Sequence, residues 1–159
     1  MDLWQELEDV LQQQKDLLSR LLVKTQEQTV ALRASDLPAL IALNKQIGEL
    51  AGHLAVLDRK REDIAAALAG QLGLPVFASI SDLLARVTAP ATANMDGLIG
   101  ELRQLVGDLV LQTRLNCYVA GQLSRVTGQL LTIYTSGSFT YDPAGQTRQI
   151  GGGIIERQV

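Results

Sequence analysis

Aliphatic residues recur every three or four positions along most of this chain. Such an alternation gives a helix one apolar stripe, and when it is sustained it is typical of helices packed along a shared left-handed seam. It is most regular between residues 95 and 133. The stripe positions there are Met95, Leu98, Leu102, Leu105, Leu109, Gln112, Asn116, Val119, Leu123, Val126, Leu130 and Ile133. Nearly six heptads without a slip predict one long helix.

Two earlier segments carry the same stripe. Between residues 40 and 68 it is regular, with Arg61 as its one polar position. Between residues 4 and 32 it is looser, because Gln14, Thr25 and Gln28 interrupt it. The three segments hold about 32, 34 and 41 residues and would form helices about 48–60 Å long at 1.5 Å per residue. Ordinary globular helices average about 11–12 residues, so these are unusually long.

Prolines mark the breaks between the segments. Pro38 follows Ser35 and Asp36, an order in which proline occupies the first turn of a helix and the serine or aspartate caps it. Because this turn is short, the first two long helices are expected to form an antiparallel hairpin. Pro75 follows a stretch containing glycine, which indicates the end of the second helix and a loop.

The remaining segments complete the predicted fold. Residues 79–87 can form about two turns of helix capped by Ser81 or Asp82. After Tyr134 the periodicity ends and glycine becomes frequent, which is typical of a mobile tail. The prediction is an all-α fold: an elongated antiparallel helical bundle or coiled coil of three long helices plus one short helix. The bundle spans residues 1–134, and a flexible C-terminal tail spans residues 135–159.

Composition excludes several functions. The 159 residues include 14 Lys+Arg and 17 Asp+Glu, which gives a net charge of −3. A chain with this balance lacks the dense basic surface that nucleic-acid binding needs. A single cysteine and a single histidine exclude an intrachain disulfide, a Cys/His zinc cluster and a CxxC redox pair. No cofactor or metal is expected. The N-terminus lacks the positive charge of a secretory signal, and no apolar run approaches the roughly 20 residues of a membrane helix. We therefore expect a cytoplasmic protein without membrane insertion.

No residue pattern indicates an active site, and enzyme activity is not expected. His53 flanks the seam of the second helix and is interpreted as a solvated histidine. Cys117 lies on a helix flank and is interpreted as a small packing residue. Charges alternate in sign over residues 58–63, where Arg59 and Asp63 are spaced for an i,i+4 pair. This run is expected to be a solvated, self-compensated surface.

The last long helix carries more apolar surface than one seam requires. Away from the seam, Leu111, Leu115 and Tyr118 form a second stripe. Four glycines share one heptad position on the opposite side: Gly100, Gly107, Gly121 and Gly128. Two interpretations are open. Either the first helix, the short helix and a second copy cover these positions, or the outer face admits an amphipathic helix of another protein. Gln112 and Asn116, at consecutive seam positions, are expected to set the register.

Three parts of the sequence carry a resemblance to one family. The first is the hairpin, in which the acidic residue Asp36 caps the second helix and Arg59 follows a ladder of leucines. The matching residues are Glu27, Ala31, Leu32, Asp36, Leu40, Leu43, Lys45, Leu50, Leu54, Leu57 and Arg59. The second is Asn116. The family tends to have two asparagines three residues apart; in this chain Asn116 matches the second of them, and Thr113 stands in place of the first. The third lies outside any heptad and is therefore the most specific. It is the segment 141–147, which is similar to a Tyr-x-x-x-Gly-Gln tail signature. Together these parts resemble the FlgN family of flagellar export chaperones.

The resemblance implies a cytoplasmic binding protein that escorts the flagellar hook-associated (hook-filament junction) proteins to the type III export gate. The terminal segments of these clients are disordered before assembly and carry amphipathic helices. The candidate client-binding residues are Leu111, Leu115, Tyr118 and Gln122. The candidate residues for the cytoplasmic domain of the export-gate membrane protein are Tyr141, Gly145 and Gln146. Two alternatives stay open: a structural coiled-coil scaffold or homo-oligomer, and a chaperone for a different flagellar or type III secretion client.

Overall fold

The described residues fold as three long helices, one short helix and two short strands. A computed structural model describes residues 2–87, 94–136, 139–141 and 147–149. The elements are α1 (Leu3–Ala34), α2 (Leu37–Leu72), α3 (Ile80–Leu84), α4 (Met95–Ser136), β1 (Phe139–Tyr141) and β2 (Thr147–Gln149). The long helices have 32, 36 and 42 residues, so the predicted all-α fold of three long helices and one short helix is confirmed. The two strands lie within the segment expected to form the tail and were not predicted.

The connection between α1 and α2 is as short as the sequence indicates. Ser35 follows α1 with φ at 54°, in the left-handed region that ends helices. Asp36 caps α2 because its carboxylate accepts a hydrogen bond from the Ala39 amide at 3.0 Å. Pro38 lies at the start of α2, where no intrahelical N–H is needed. At the far end of α2, Gly73 has φ at 64° and ends the helix as predicted.

Helices α1 and α2 form an antiparallel hairpin. The amide of Gln28 donates to the side-chain oxygen of Asn44 at 2.7 Å near the turn. Far from the turn, Lys60 pairs with Glu6 at 3.0 Å. Since the partner on α2 rises in number as the residue on α1 falls, the two helices run in opposite directions. The predicted hairpin is confirmed.

The short helix α3 begins earlier than the sequence suggested. Its N-cap is Ser79, and the predicted caps Ser81 and Asp82 are wrong. Ser79 Oγ accepts from the Asp82 amide at 3.1 Å. In return, the hydroxyl and the amide of Ser79 donate to the Asp82 carboxylate at 2.7 and 3.0 Å. This capping box uses Asp82 as its third helical residue. These two hydrogen bonds hold the pKa of the Asp82 carboxyl below its ordinary value because they stabilise its charged form. The bond from the Ser79 hydroxyl has the larger effect, and the bond from the Ser79 amide has the smaller one.

One hydrophobic core joins the start of α1, the end of α2, α3 and the start of α4. Its buried members are Leu7, Val10, Leu11, Ile64, Ala65, Leu68, Ala69, Leu83, Leu84, Met95 and Leu98. Most of them occupy the apolar stripes of the long helices, as the 3,4 spacing requires. The capping box stabilises the first turn of α3, and α3 contributes Leu83 and Leu84 to the core.

The chain divides into two compact units, and the boundary between them lies between residues 117 and 118, within α4. In the first unit, the predicted seam of α4 faces inward from Met95 to Asn116. In the second unit the later seam positions Val126, Leu130 and Ile133 are exposed, so the expected burial of the whole seam is wrong there. The described part of this unit contains no second long helix that could bury them. It contains the hairpin in which β1 and β2 pair antiparallel, Tyr141 opposite Thr147. The predicted boundary between residues 134 and 135 stays a prediction.

Candidate functional site

The second stripe of α4 is open to solvent within each unit. In the first unit, Leu111 is 64% exposed and Leu115 is 40% exposed. In the second unit, Tyr118 is 65% exposed, and Gln122 is half-buried and accepts a hydrogen bond from Arg125 at 2.8 Å. These large aliphatic and aromatic side chains present apolar surface to water. Binding of a partner can bury that surface.

The glycine face of α4 is also uncovered. A Cβ added at any of these glycines would meet no atom of another described segment within 4 Å: Gly100, Gly107, Gly121 and Gly128. The glycines are therefore not needed for a close approach of another described segment of this chain. Each costs about 0.8–1 kcal/mol relative to alanine in a helix interior. The interpretation in which α1 or α3 covers this face is not the arrangement found. Coverage by a second copy stays open.

A buried polar layer fixes how α4 meets α1. Asn116 donates to the Thr25 carbonyl at 2.8 Å and to the Gln28 side chain at 2.7 Å. Its side-chain oxygen accepts from the Thr29 hydroxyl at 2.5 Å, and that hydroxyl accepts from Gln112 at 2.6 Å. The geometry gives Gln112 and Asn116 the register role predicted for them, because a shift along α1 would leave these groups unpaired.

The polar interruptions of α1 are part of this arrangement. Thr25 and Gln28 belong to the polar layer, while buried Gln14 donates to the Asp58 carboxylate of α2 at 2.9 Å. The sequence did not reveal these partners, because a seam position says only which side of a helix faces inward. The available signal was polar side chains at seam positions of two different helices. Their pairing depends on the offset of α1 against α4, which no single stripe specifies.

Replacing Asn116 with alanine should destabilise the protein by about 1–3 kcal/mol, because the hydroxyl of Thr29 and the side chain of Gln28 would lose their buried partner. The free energy of unfolding, measured by urea denaturation, provides the test. Thr113→Ala is the matched control: Thr113 is exposed, and among the described residues its hydroxyl bonds only the Leu109 carbonyl of its own helix. The control should change stability by less than about 0.5 kcal/mol. Equal stability of Asn116→Ala and wild type would contradict the register role.

Three other interpretations of the sequence can be compared with the structure, and their outcomes differ. His53 is exposed, as predicted. Cys117 is exposed, so its interpretation as a packing residue is wrong. The charged run 58–63 is compensated, but by other partners than the predicted Arg59–Asp63 pair. Lys60 reaches Glu6 of α1, and Arg61 bonds Asp58 at 3.3 Å. The antiparallel hairpin brings Glu6 beside Lys60, which helical spacing alone could not foresee.

The tail signature lies mostly outside the described residues. Tyr141 is the last residue of β1. Gly145 and Gln146 lie outside the described part of the chain, as does the link 88–93 before α4. The candidate export-gate residues therefore stay a prediction.

Two further properties of the described residues bear on function. None of their His, Cys, Asp and Glu side chains form a cluster of three or more that could hold a metal ion. Within the same residues, no helix has the length and apolar character needed to cross a membrane. Long helices, an exposed apolar stripe and a polar register layer define an all-α protein with exposed apolar surface.

The family comparison identifies this class more closely. The model of the FlgN protein family matches residues 1–149, and the chain belongs to the FlgN family. FlgN proteins are flagellar export chaperones rather than enzymes, and membership implies this general role and the binding of flagellar proteins. The comparisons with curated proteins and with solved structures found no match.

Proposed function

We propose that this protein is a cytoplasmic chaperone for the flagellar hook-filament junction proteins. It binds their disordered, amphipathic terminal segments, prevents premature assembly or degradation, and delivers them to the type III export gate. Family membership supports the general role. The observation that carries the client-binding role is the solvent-exposed apolar stripe of α4, in particular Leu111 and Leu115.

The stripe suits a client segment that folds as it binds. Apolar residues three or four positions apart on an amphipathic helix would contact Leu111, Leu115 and Tyr118, with Gln122 as a polar contact. Coupled folding of this kind buries about 1,000 Å² or more of surface. Part of the resulting free energy is offset by the entropy of ordering the client. The outcome is moderate affinity, which allows release at the gate.

The C-terminal segment is proposed to engage the cytoplasmic domain of the export-gate membrane protein. Tyr141 is the proposed anchor, with Gly145 and Gln146 beside it in sequence. An aromatic side chain offers a large contact area and loses little side-chain entropy when bound. This division assigns client binding to α4 and gate binding to the segment after it.

One observation favours a second function. Val126, Leu130 and Ile133 continue the heptad pattern of α4 and are exposed. Pairing of this segment with a second copy would bury them, as a coiled-coil scaffold requires. The scaffold function predicts self-association without a client.

A pull-down from a lysate of flagellated cells, with partners identified by mass, separates the two functions. We expect the hook-filament junction proteins to be recovered. A matched pull-down with Leu115→Asp should lose them, because a carboxylate on the stripe would be buried without a partner. Recovery of self-copies alone would favour the scaffold. Recovery of a different flagellar or type III export substrate would favour the alternative client class.

A further inference from the structure

A second apolar groove lies within the first unit, away from the stripe. Helix α2 packs along α1 and against α3, whereas α4 has no extended backbone contact with any of these helices. The groove lies between α2 and α4. The space between them has a volume of about 390 Å³. Leu11 and Leu18 of α1, Leu54 of α2, Ile80 of α3, and Leu102 and Val106 of α4 line it. Val106 is 47% exposed, so the groove is open to solvent along α4.

The groove has the length of two helical turns. Its residues on α2 run from Leu54 to Arg61 and those on α4 from Ile99 to Val106. Each pair is seven residues apart, which corresponds to about 10.5 Å along a helix axis. Helices that dock in grooves place their anchors at i, i+3 or i+4, and i+7, over the same length. A helix in this space would convert three helices into a four-helix arrangement.

Charge on the groove selects the kind of helix. Asp58 is already satisfied, because Gln14 donates to it at 2.9 Å and Arg61 at 3.3 Å. Arg103 faces the same groove from α4 and donates to the neutral hydroxyl of Ser81 at 3.1 Å. Among the described residues, no carboxylate lies within ion-pair distance of Arg103. The groove therefore offers one uncompensated cation beside an apolar surface.

We propose that this groove binds an amphipathic client helix that carries an acidic residue beside its apolar face. The apolar side chains enter between α2 and α4, and the carboxylate pairs with the guanidinium of Arg103 in a charge-assisted, bidentate geometry. The proposal rests on the proposed function, since it takes the occupant from the exported clients. It adds a contact distinct from the Leu111–Leu115 stripe and states the chemistry of the segment that fills it.

Calorimetric titration of the full chain with purified terminal segments of the junction proteins tests the groove. Arg103→Glu and Val106→Asp should each weaken binding at least tenfold, because one repels the client carboxylate and the other places a charge in the apolar contact. Arg59→Glu is the matched control: it makes the same charge change at an exposed position of α2 outside the groove. The control should stay within twofold of wild type.

Charge reversal in the client makes the test specific. The client's acidic residues are replaced with lysine one at a time. The change at the residue that pairs with Arg103 should weaken binding to wild type and restore binding to Arg103→Glu. Binding of both groove variants within twofold of wild type, alongside a loss for Leu115→Asp, would overturn the groove and leave the proposed function intact. No binding of any junction-protein segment to wild type would overturn both.

Discussion

Leu115→Asp and Tyr118→Asp should each abolish client binding while leaving the helical circular dichroism spectrum largely intact. Both side chains are exposed, so a carboxylate at either position remains hydrated in the free protein. In the complex that carboxylate would lie against apolar client side chains without a partner, and burying an unpaired charge is costly. We expect affinity to fall at least about 100-fold, which corresponds to about 2.7 kcal/mol or more.

Val56→Asp is the matched control for this prediction. Val56 of α2 is 65% exposed, like Tyr118, but belongs to neither the stripe nor the groove. The control should bind the client as wild type does. If the two stripe variants lose their helical spectrum together with binding, Leu115 and Tyr118 belong to the core. If they bind normally, the stripe is not the client site.

The second large effect is expected from Tyr141→Ala. This change should leave client binding unchanged and block secretion of the client, because it removes the proposed contact with the export gate and leaves α4 intact. The measurement combines client affinity in vitro with the amount of junction protein secreted by cells carrying the variant. Tyr134→Ala, an aromatic truncation outside the tail signature, serves as the control.

Two results would contradict this division of roles. A tenfold loss of client affinity in Tyr141→Ala, about 1.4 kcal/mol, would place the tyrosine in the client site. Normal secretion with normal client binding would show that the gate does not depend on this side chain. The control is expected to retain both activities.

Local sequence signals predicted the helices well. The capping residue Asp36 and the proline in the first turn of α2 fixed the turn between the first two helices. Gly73 ended α2 because its left-handed φ suits a residue without a Cβ. These features act within a few residues of the chain. They could therefore be predicted without knowing which helix packs on which.

Features that depend on two helices at once could not be predicted in this way. The pairing of Lys60 with Glu6 needs the offset of α2 against α1, and the bonds of Asn116 need the offset of α4. The α3 cap was misplaced because three neighbouring residues, Ser79, Ser81 and Asp82, can all cap a helix. The reciprocal bonds between Ser79 and Asp82 favour the earliest start.

The candidate site was predictable in part. An apolar stripe off the seam predicted that Leu111 and Leu115 face away from the core, and both side chains are exposed in the first unit. Their role in client binding stays a prediction. The groove between α2 and α4 was missed because its residues lie on or beside the seams and were expected to pack within the bundle. The one sequence signal for the groove was Arg61, a cation in an otherwise apolar stripe. Arg103, which also lines the groove, does not interrupt an apolar stripe and gave no signal in the sequence.

The most direct test of client docking on α4 is a methyl NMR titration. Protein with isotope-labelled leucine methyl groups is titrated with the disordered terminal segment of a junction protein. We expect the methyl signals of Leu111 and Leu115 to shift on binding and to show intermolecular contacts with the client. Unchanged Leu111 and Leu115 signals under saturating client would contradict it, because the exposed stripe would then remain in water.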